Sequence, residues 1–269
     1  MSYVKFMIHF PYVLKGWFLT GFMWERALAG VRIILVEPAG PLNVGAIARV
    51  MKNLGLQQLV LVNPQCDQLS AEAKLMAVHA VDILEAAKVV ATLPIALRGC
   101  ERAIATTARV RALSAVLEHP RTALPWLITE PGKATALIFG PEYRGLSNEE
   151  LNYAQRFVSI PSSQNYPSLN LAQAVAICCY ELCVCAQSGQ LSDITPATGE
   201  YASLDVLEGY YQQLEALLLK IGYLYPHTAA SRMEKFRQLF NRAQLANTEV
   251  AMLRGILTQM EWALQQARG

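Results

Sequence analysis

Charge is scarce in this 269-residue sequence: 16% of it is charged, and 23 basic against 21 acidic residues leave a net charge of +2. So small an imbalance by itself argues for no partner, while 53% apolar residues supply a core and exclude a disordered chain. The first thirty residues lack an unbroken apolar span. Lys5, His9, Pro11, Lys15 and Gly16 bound or interrupt the stretch at 6–23, and a secretion signal's order of features is missing too. Six cysteines, at 66, 100, 178, 179, 183 and 185, form no C-x-x-C pair and have no histidine close by. That pattern fits packed small hydrophobes in a reducing, cytoplasmic setting better than a metal site or disulfides. No glycine loop is followed by Lys-Ser/Thr, and no G-x-G-x-x-G occurs, so phosphate-loop and dinucleotide sites have no support. No loop pairs a nucleophile with a base, which leaves a hydrolase without its residues.

What is present is alternation. Periodic sequence begins near Val31, so residues 1–30 form an N-terminal extension in which Met23 is an alternative start. Short β-branched runs at 31–36, 59–62, 103–107, 134–139 and 156–160 predict strands. Helical spacing follows from Asn43 to Leu54, over 70–84 and over 91–97, and Ser147-Asn-Glu-Glu150 is a capping box. Strands alternating with helices imply an α/β fold with a parallel sheet covered on both faces. Such sheets bind ligands at the carboxyl ends of their strands.

Three loops at those ends stand out. Pro41–Arg49 puts Asn43 and Gly45 at a helix start and Arg49 further along. Phe139–Gly145 packs glycines around Glu142. Ile160–Asn170 is polar and turn-rich, then runs into Leu171, Ala174, Val175, Cys178, Cys179, Leu182 and Cys185 at helical spacing. Ser168 or Asn170 caps that helix, whose near absence of charge predicts burial over most of its surface. Each loop taken alone also fits a plain turn or core entrance.

Together, NVGAIAR at 43–49, FGPEYRGL at 139–146 and IPSSQNYPSLNLAQAV at 160–175 resemble the three motifs of the SpoU/TrmH branch of SPOUT RNA methyltransferases. ARVMKNLGL at 48–56, ATTAR at 105–109 and FRQLFNRAQLANTEVAMLRGIL at 236–257 are similar to its TrmJ-type tRNA cytidine/uridine 2′-O-methyltransferases. Pro141 and Tyr143 stand where such proteins often carry arginine, and Ala105-Thr-Thr replaces a usual Gly-Thr-Ser. The resemblance implies a deep trefoil knot, a homodimer, and S-adenosyl-L-methionine held around Thr107, Gly140, Glu142, Ile160 and Leu169, with no metal. It implies that Arg49 is catalytic, with Asn43, Ser168 and Asn170 orienting the nucleotide and Glu142 serving loop geometry or substrate positioning. The implied substrate is tRNA, at the first nucleotide of the anticodon loop. Ribosomal RNA, or an RNA-binding module without activity, are the alternatives.

A Ser/Thr/Pro/Gly stretch at 189–202 predicts a linker between a domain at 31–188 and a small all-helical appendage at 203–269. Helices are expected over 203–222, 229–245 and 247–267. The second carries Arg232, Lys235, Arg237 and Arg242 against the single acid Glu234, a pattern that beside an RNA-modifying domain points to phosphate contacts.

Overall fold

The computed structural model describes residues 24–108, 116–163, 165–188 and 201–266. Residues 1–23, with the alternative start Met23, together with Arg109 and nearly all of the expected linker, lie outside the described residues. Among the described residues the strands are β1 (Val31–Val36), β2 (Gln58–Val62), β3 (Lys88–Val90), β4 (Arg102–Thr106), β5 (Leu117–Glu118), β6 (Thr135–Phe139) and β7 (Arg156–Val158). They form one sheet in the order β3-β2-β1-β6-β4-β7-β5, and each pairing is parallel. All five expected strands are there with small shifts at their ends. Two more, β3 and β5, escaped the sequence because each is an edge piece of only two or three residues.

The helices are α1 (Pro41–Asn53), α2 (Ala71–Ala77), α3 (Val81–Ala86), α4 (Leu93–Ala96), α5 (Pro120–Ala123), α6 (Asn148–Leu151), α7 (Leu171–Ser188), α8 (Leu204–Lys220), α9 (Ala229–Ala243) and α10 (Asn247–Gln266). One helix was expected over 70–84; two are found. The chain breaks at Val78, whose φ of 55° is rare for a β-branched residue. Lys52 of α1 stabilises the break by donating to the freed His79 carbonyl at 2.7 Å and pairing with Asp82 at 2.8 Å. Close packing of α2 on α1 requires Gly45, since a Cβ there would lie 2.1 Å from the Ala73 carbonyl oxygen. The helix expected over 91–97 is only α4.

Alternation along the strands divides the core in two. Ile33, Leu35, Leu59, Leu61, Ile104, Leu137 and Phe139 face one side, against Val44, Ile47, Ala48 and Met51 of α1 and Val175, Cys178, Cys179 and Leu182 of α7. The cysteines there are free and buried among aliphatics, and burial pushes the Cys178 thiol up to about 12. They are core residues. α7 is apolar and long enough to cross a membrane by composition alone, yet one side of it is this core. Its burial is narrower than the sequence led us to expect: Ile177, Tyr180 and Val184 form an exposed stripe.

Ile34, Val36, Val60, Val62, Ala103, Ala105, Ala136 and Ile138 face the other side, against Leu207, Tyr210, Tyr211 and Leu214 of α8. Alanines on central strands leave room for the two tyrosine rings. Leu204 donates its backbone N–H to the Cys100 carbonyl at 2.8 Å, and the Gly99 N–H donates to Asp205 Oδ1 at 2.9 Å. The C-terminal helices are held to the domain through these contacts of α8. They roof the second face of its sheet.

Candidate functional site

Three loops converge where β1, β6 and β7 end. β1 runs into Glu37-Pro-Ala-Gly40, and Pro41 at the first position of α1 fixes φ for the helix where a missing N–H costs nothing. Asn170, rather than Ser168, caps α7: its Oδ1 accepts from the N–H groups of Ala172 at 2.9 Å and Gln173 at 3.3 Å. The Asn170 side-chain amide then donates to Asn43 Oδ1 at 3.0 Å, and Asn43 Nδ2 donates to Glu142 Oε1 at 2.8 Å. Glu142 Oε2 accepts from the Ala39 N–H at 3.3 Å. One chain of polar contacts thus ties together the loops after β1, β6 and β7.

The loop after β6 is held by a second set. Arg144 reaches Glu150 at 2.7 Å and 2.9 Å and Glu37 at 2.8 Å, and the Tyr143 hydroxyl donates to Glu37 Oε2 at 3.0 Å. These hydrogen bonds, from Arg144 first and Tyr143 second, hold the Glu37 carboxyl below its ordinary value. Burial pushes Glu150 up, but Arg144 and the Ser147 N–H outweigh it and the net direction is down. The capping box read from the sequence is present, with Ser147 Oγ accepting from the Glu150 N–H at 3.2 Å and Glu150 Oε2 from the Ser147 N–H at 2.6 Å. Gly140 is obligatory: a Cβ there would lie 2.3 Å from the backbone of Gly145 and Leu146, where the loop folds back on itself.

Between these loops opens a cleft of about 380 Å³. Thr107, Gly140, Glu142, Ile160 and Leu169, the five residues expected around the cofactor, all line it, as does Ser168. Phe139, Val158 and Leu171 give it an apolar floor. Its size lies in the range of small-molecule sites, and apolar walls with a few polar groups are what such sites present.

Arg49 is not in the cleft. It lies exposed on α1, on the same helix face as the exposed Leu42, with no hydrogen-bond or ion-pair partner among the described residues. The basic residues of α9 divide. Arg232, Lys235 and Arg242 fall at helical spacing on one exposed stripe. Arg237 points the other way. It pairs with Glu208 at 2.5 Å, both side chains being mostly buried (14% and 16% exposed), and its guanidinium lies 4.6 Å from the Tyr211 ring and 5.5 Å from that of Tyr153. Its expected phosphate role is corrected: Arg237 joins α9 to α8 and to the loop after α6. Sequence reasoning missed Glu37 and Arg144, because nothing along the chain signals that a residue closing β1 meets one 107 positions later. The positive φ of Glu37, 46°, is visible only in the fold.

Comparison with known proteins places this geometry. The SpoU rRNA Methylase family profile matches residues 30–180, and that of the tRNA methyltransferase TrmJ C-terminal domain matches 205–269. The chain is 40% identical over 243 residues to a protein of Pseudomonas aeruginosa named tRNA (cytidine/uridine/adenosine-2′-O-)-methyltransferase TrmJ, covering 86% of this chain and 93% of that one. A Cronobacter sakazakii protein named tRNA (cytidine/uridine-2′-O-)-methyltransferase TrmJ is 38% identical, over 87% of this chain and 97% of its own. Among solved structures, TrmJ from Z. mobilis superposes with a TM-score of 0.77 at 31% identity, covering 87% of this chain and 100% of that one.

Proposed function

The chain belongs to the SpoU methylase family, in the branch that carries the TrmJ C-terminal domain, and on that premise we propose that it methylates the ribose 2′-hydroxyl of a tRNA nucleotide. The observation that carries the reading is the cleft whose lining residue Glu142 is hydrogen-bonded through Asn43 to Asn170, tying together three separate loops. S-adenosyl-L-methionine is the proposed cofactor, with Thr107, Gly140, Ile160 and Leu169 around it. When bound, it supplies an already activated methyl group. The finer target we propose is the first nucleotide of the anticodon loop, a cytidine or uridine, in a cytoplasmic enzyme.

The residues divide the work. Asn43, Glu142 and Asn170 fix the loops, so that the reacting groups meet in one orientation; orientation supplies much of the rate of such a transfer. Ser168 positions the nucleotide at the mouth of the cleft. Arg49 holds a substrate phosphate and stabilises charge developing on the 2′-oxygen. It does so as a cation, because a guanidinium keeps its proton in a protein.

The enzyme is proposed to work as a homodimer. The support is the exposed apolar stripe of Ile177, Tyr180 and Val184 together with Leu42 on neighbouring helices. Arg49 shares that side of α1 and would act at a site completed by the second copy. The trefoil knot is part of the same proposal, since α7 returns to lie beside α1 after the 160–170 loop. A stretched chain should then keep a tightened knot, read as missing contour length in a single-molecule pull.

Mass spectrometry of tRNA nucleosides from a strain lacking the gene tests the function. One 2′-O-methylated pyrimidine should vanish and return with the intact gene. Unchanged tRNA together with altered ribosomal RNA would move the assignment to ribosomal RNA. Unchanged RNA of both kinds would leave a binding module.

A further inference from the structure

The turn joining α8 to α9 contains none of the residues assigned above to the cleft. It reads Ile221-Gly-Tyr-Leu-Tyr-Pro-His-Thr228, and its two tyrosines point outward: Tyr223 is 52% and Tyr225 55% exposed. Large aromatic rings are usually drawn into a core, so two half-exposed rings two residues apart need a reason. The turn is rigid. Leu224 between them is buried. The N–H groups of Tyr223 and Leu224 both donate to the Leu218 carbonyl at 3.0 Å, and those of Thr228 and Ala229 to the Tyr225 carbonyl at 2.9 Å and 2.8 Å. Gly222, at φ +79°, makes the reversal possible.

Each ring is backed on one side. The Arg232 guanidinium sits 5.7 Å from the Tyr223 ring centre, and the His227 ring stacks on Tyr225 at 6.0 Å with 24° between the planes. A ring held in place with half its surface in water is a ready surface for another flat ring. Arg232 is also the first residue of the exposed basic stripe that continues through Lys235 and Arg242. Aromatic faces beside a line of cations are the two parts of a single-strand nucleic-acid site: bases stack on the rings and phosphates follow the charges.

We propose that Tyr223 and Tyr225 form a stacking platform for unpaired bases of the RNA substrate, with Arg232, Lys235 and Arg242 holding the adjoining phosphates. The proposal rests on the reading of the chain as a tRNA-modifying enzyme and adds where, outside the cleft, the RNA is gripped. Stacking contacts are sequence-tolerant, because every base offers a π-face. The platform therefore recognises an unpaired loop or end rather than a particular base.

The test uses the full chain and an unmodified tRNA transcript, with binding measured across a range of salt. Replacing both tyrosines by leucine keeps apolar bulk and removes the aromatic faces; it should weaken binding about tenfold or more. Replacing both by phenylalanine should leave binding within about twofold, since the ring and not the hydroxyl makes the contact. The salt slope should stay the same in both pairs, because no cation is removed. Leucine variants that bind like the wild type, or phenylalanine variants as weak as leucine, would overturn the platform and leave the tRNA reading standing. Wild-type protein that binds no tRNA at any salt would take down both. Photocrosslinking of 4-thiouridine-substituted tRNA to the wild-type protein gives a readout without any variant. A crosslinked peptide from 221–232 supports the platform, and crosslinks confined to the cleft loops count against it.

Discussion

The side-chain amide of Asn170 donates to the side-chain oxygen of Asn43 at 3.0 Å across 127 residues of chain, and Asn43 passes the contact on to Glu142 at 2.8 Å. An asparagine is needed at the centre because it must accept on one side and donate on the other. An aspartate has the same shape and no donor.

Asn43→Asp should therefore be worse than Asn43→Ala. The alanine loses two hydrogen bonds, a cost of about 1–2 kcal/mol. The aspartate faces the Glu142 carboxylate without a proton between them, and the repulsion adds to that. Cofactor titration should show about tenfold weaker binding for alanine and more for aspartate. An aspartate variant that binds like the wild type would show that the three loops are held by other means.

Arg49→Ala should separate folding from chemistry. The side chain is exposed, so melting temperature and cofactor affinity should stay near wild type. Methyl transfer should fall by roughly a hundredfold or more, as expected when a charge-stabilising group is removed. Near-full activity would make Arg49 an ordinary surface residue.

The basic residues of α9 should split into two classes. Arg237→Ala leaves Glu208 buried without its partner and should cost about 3 kcal/mol, read as a lower midpoint of denaturant unfolding. Arg232→Ala, Lys235→Ala and Arg242→Ala should leave that midpoint alone. Each should instead reduce the salt slope of tRNA binding by about one. The reverse pattern would return Arg237 to the RNA surface.

Ending the chain near Gln187 should not give an intact domain. Without α8, the sheet residues Ile34, Val60, Ala105 and Ile138 lose their cover and a large apolar face meets water. We expect aggregation, or loss of a sharp unfolding transition, where residues 31–188 taken as a self-standing domain would fold. A soluble, cooperatively folding truncated chain would refute the roofing role of α8.

Acid should loosen the loop after β6. Glu37 and Glu150 are both held below the ordinary carboxylate value of 4.5. A lowered carboxyl contributes its stability in full above the unfolded value, and the contribution is lost as pH falls through the folded one. Wild-type stability should thus hold near neutral pH and decline in excess of Arg144→Ala only below about pH 4.5. An excess loss that begins near neutrality would point to other groups. The Glu150 side chain is the less exposed of the two, 18% against 26% for Glu37, so most of the effect should follow Glu150.

Much of this protein was legible in its sequence. The five principal strands, α1, α7, the three C-terminal helices and the capping box at Ser147 all rest on local signals. Those signals are period, cap chemistry and the position of a loop after a strand, and short-range sterics and burial dictate them. The motif order 43–49, 139–146, 160–175 carried the family by resemblance, and with it the five residues expected around the cofactor. Tertiary structure alone decided the rest. Arg237 and Arg242 look alike along the chain, yet one meets Glu208 and two tyrosines while the other faces water. Glu37 looks like a strand end until Arg144 reaches it. The helices after 203 look detachable until the apolar side of α8 finds the second face of the sheet. In each case the deciding contacts lie at least 26 residues away in sequence, and the partner of a charged or apolar side chain at that range is chosen by packing, which no local pattern encodes.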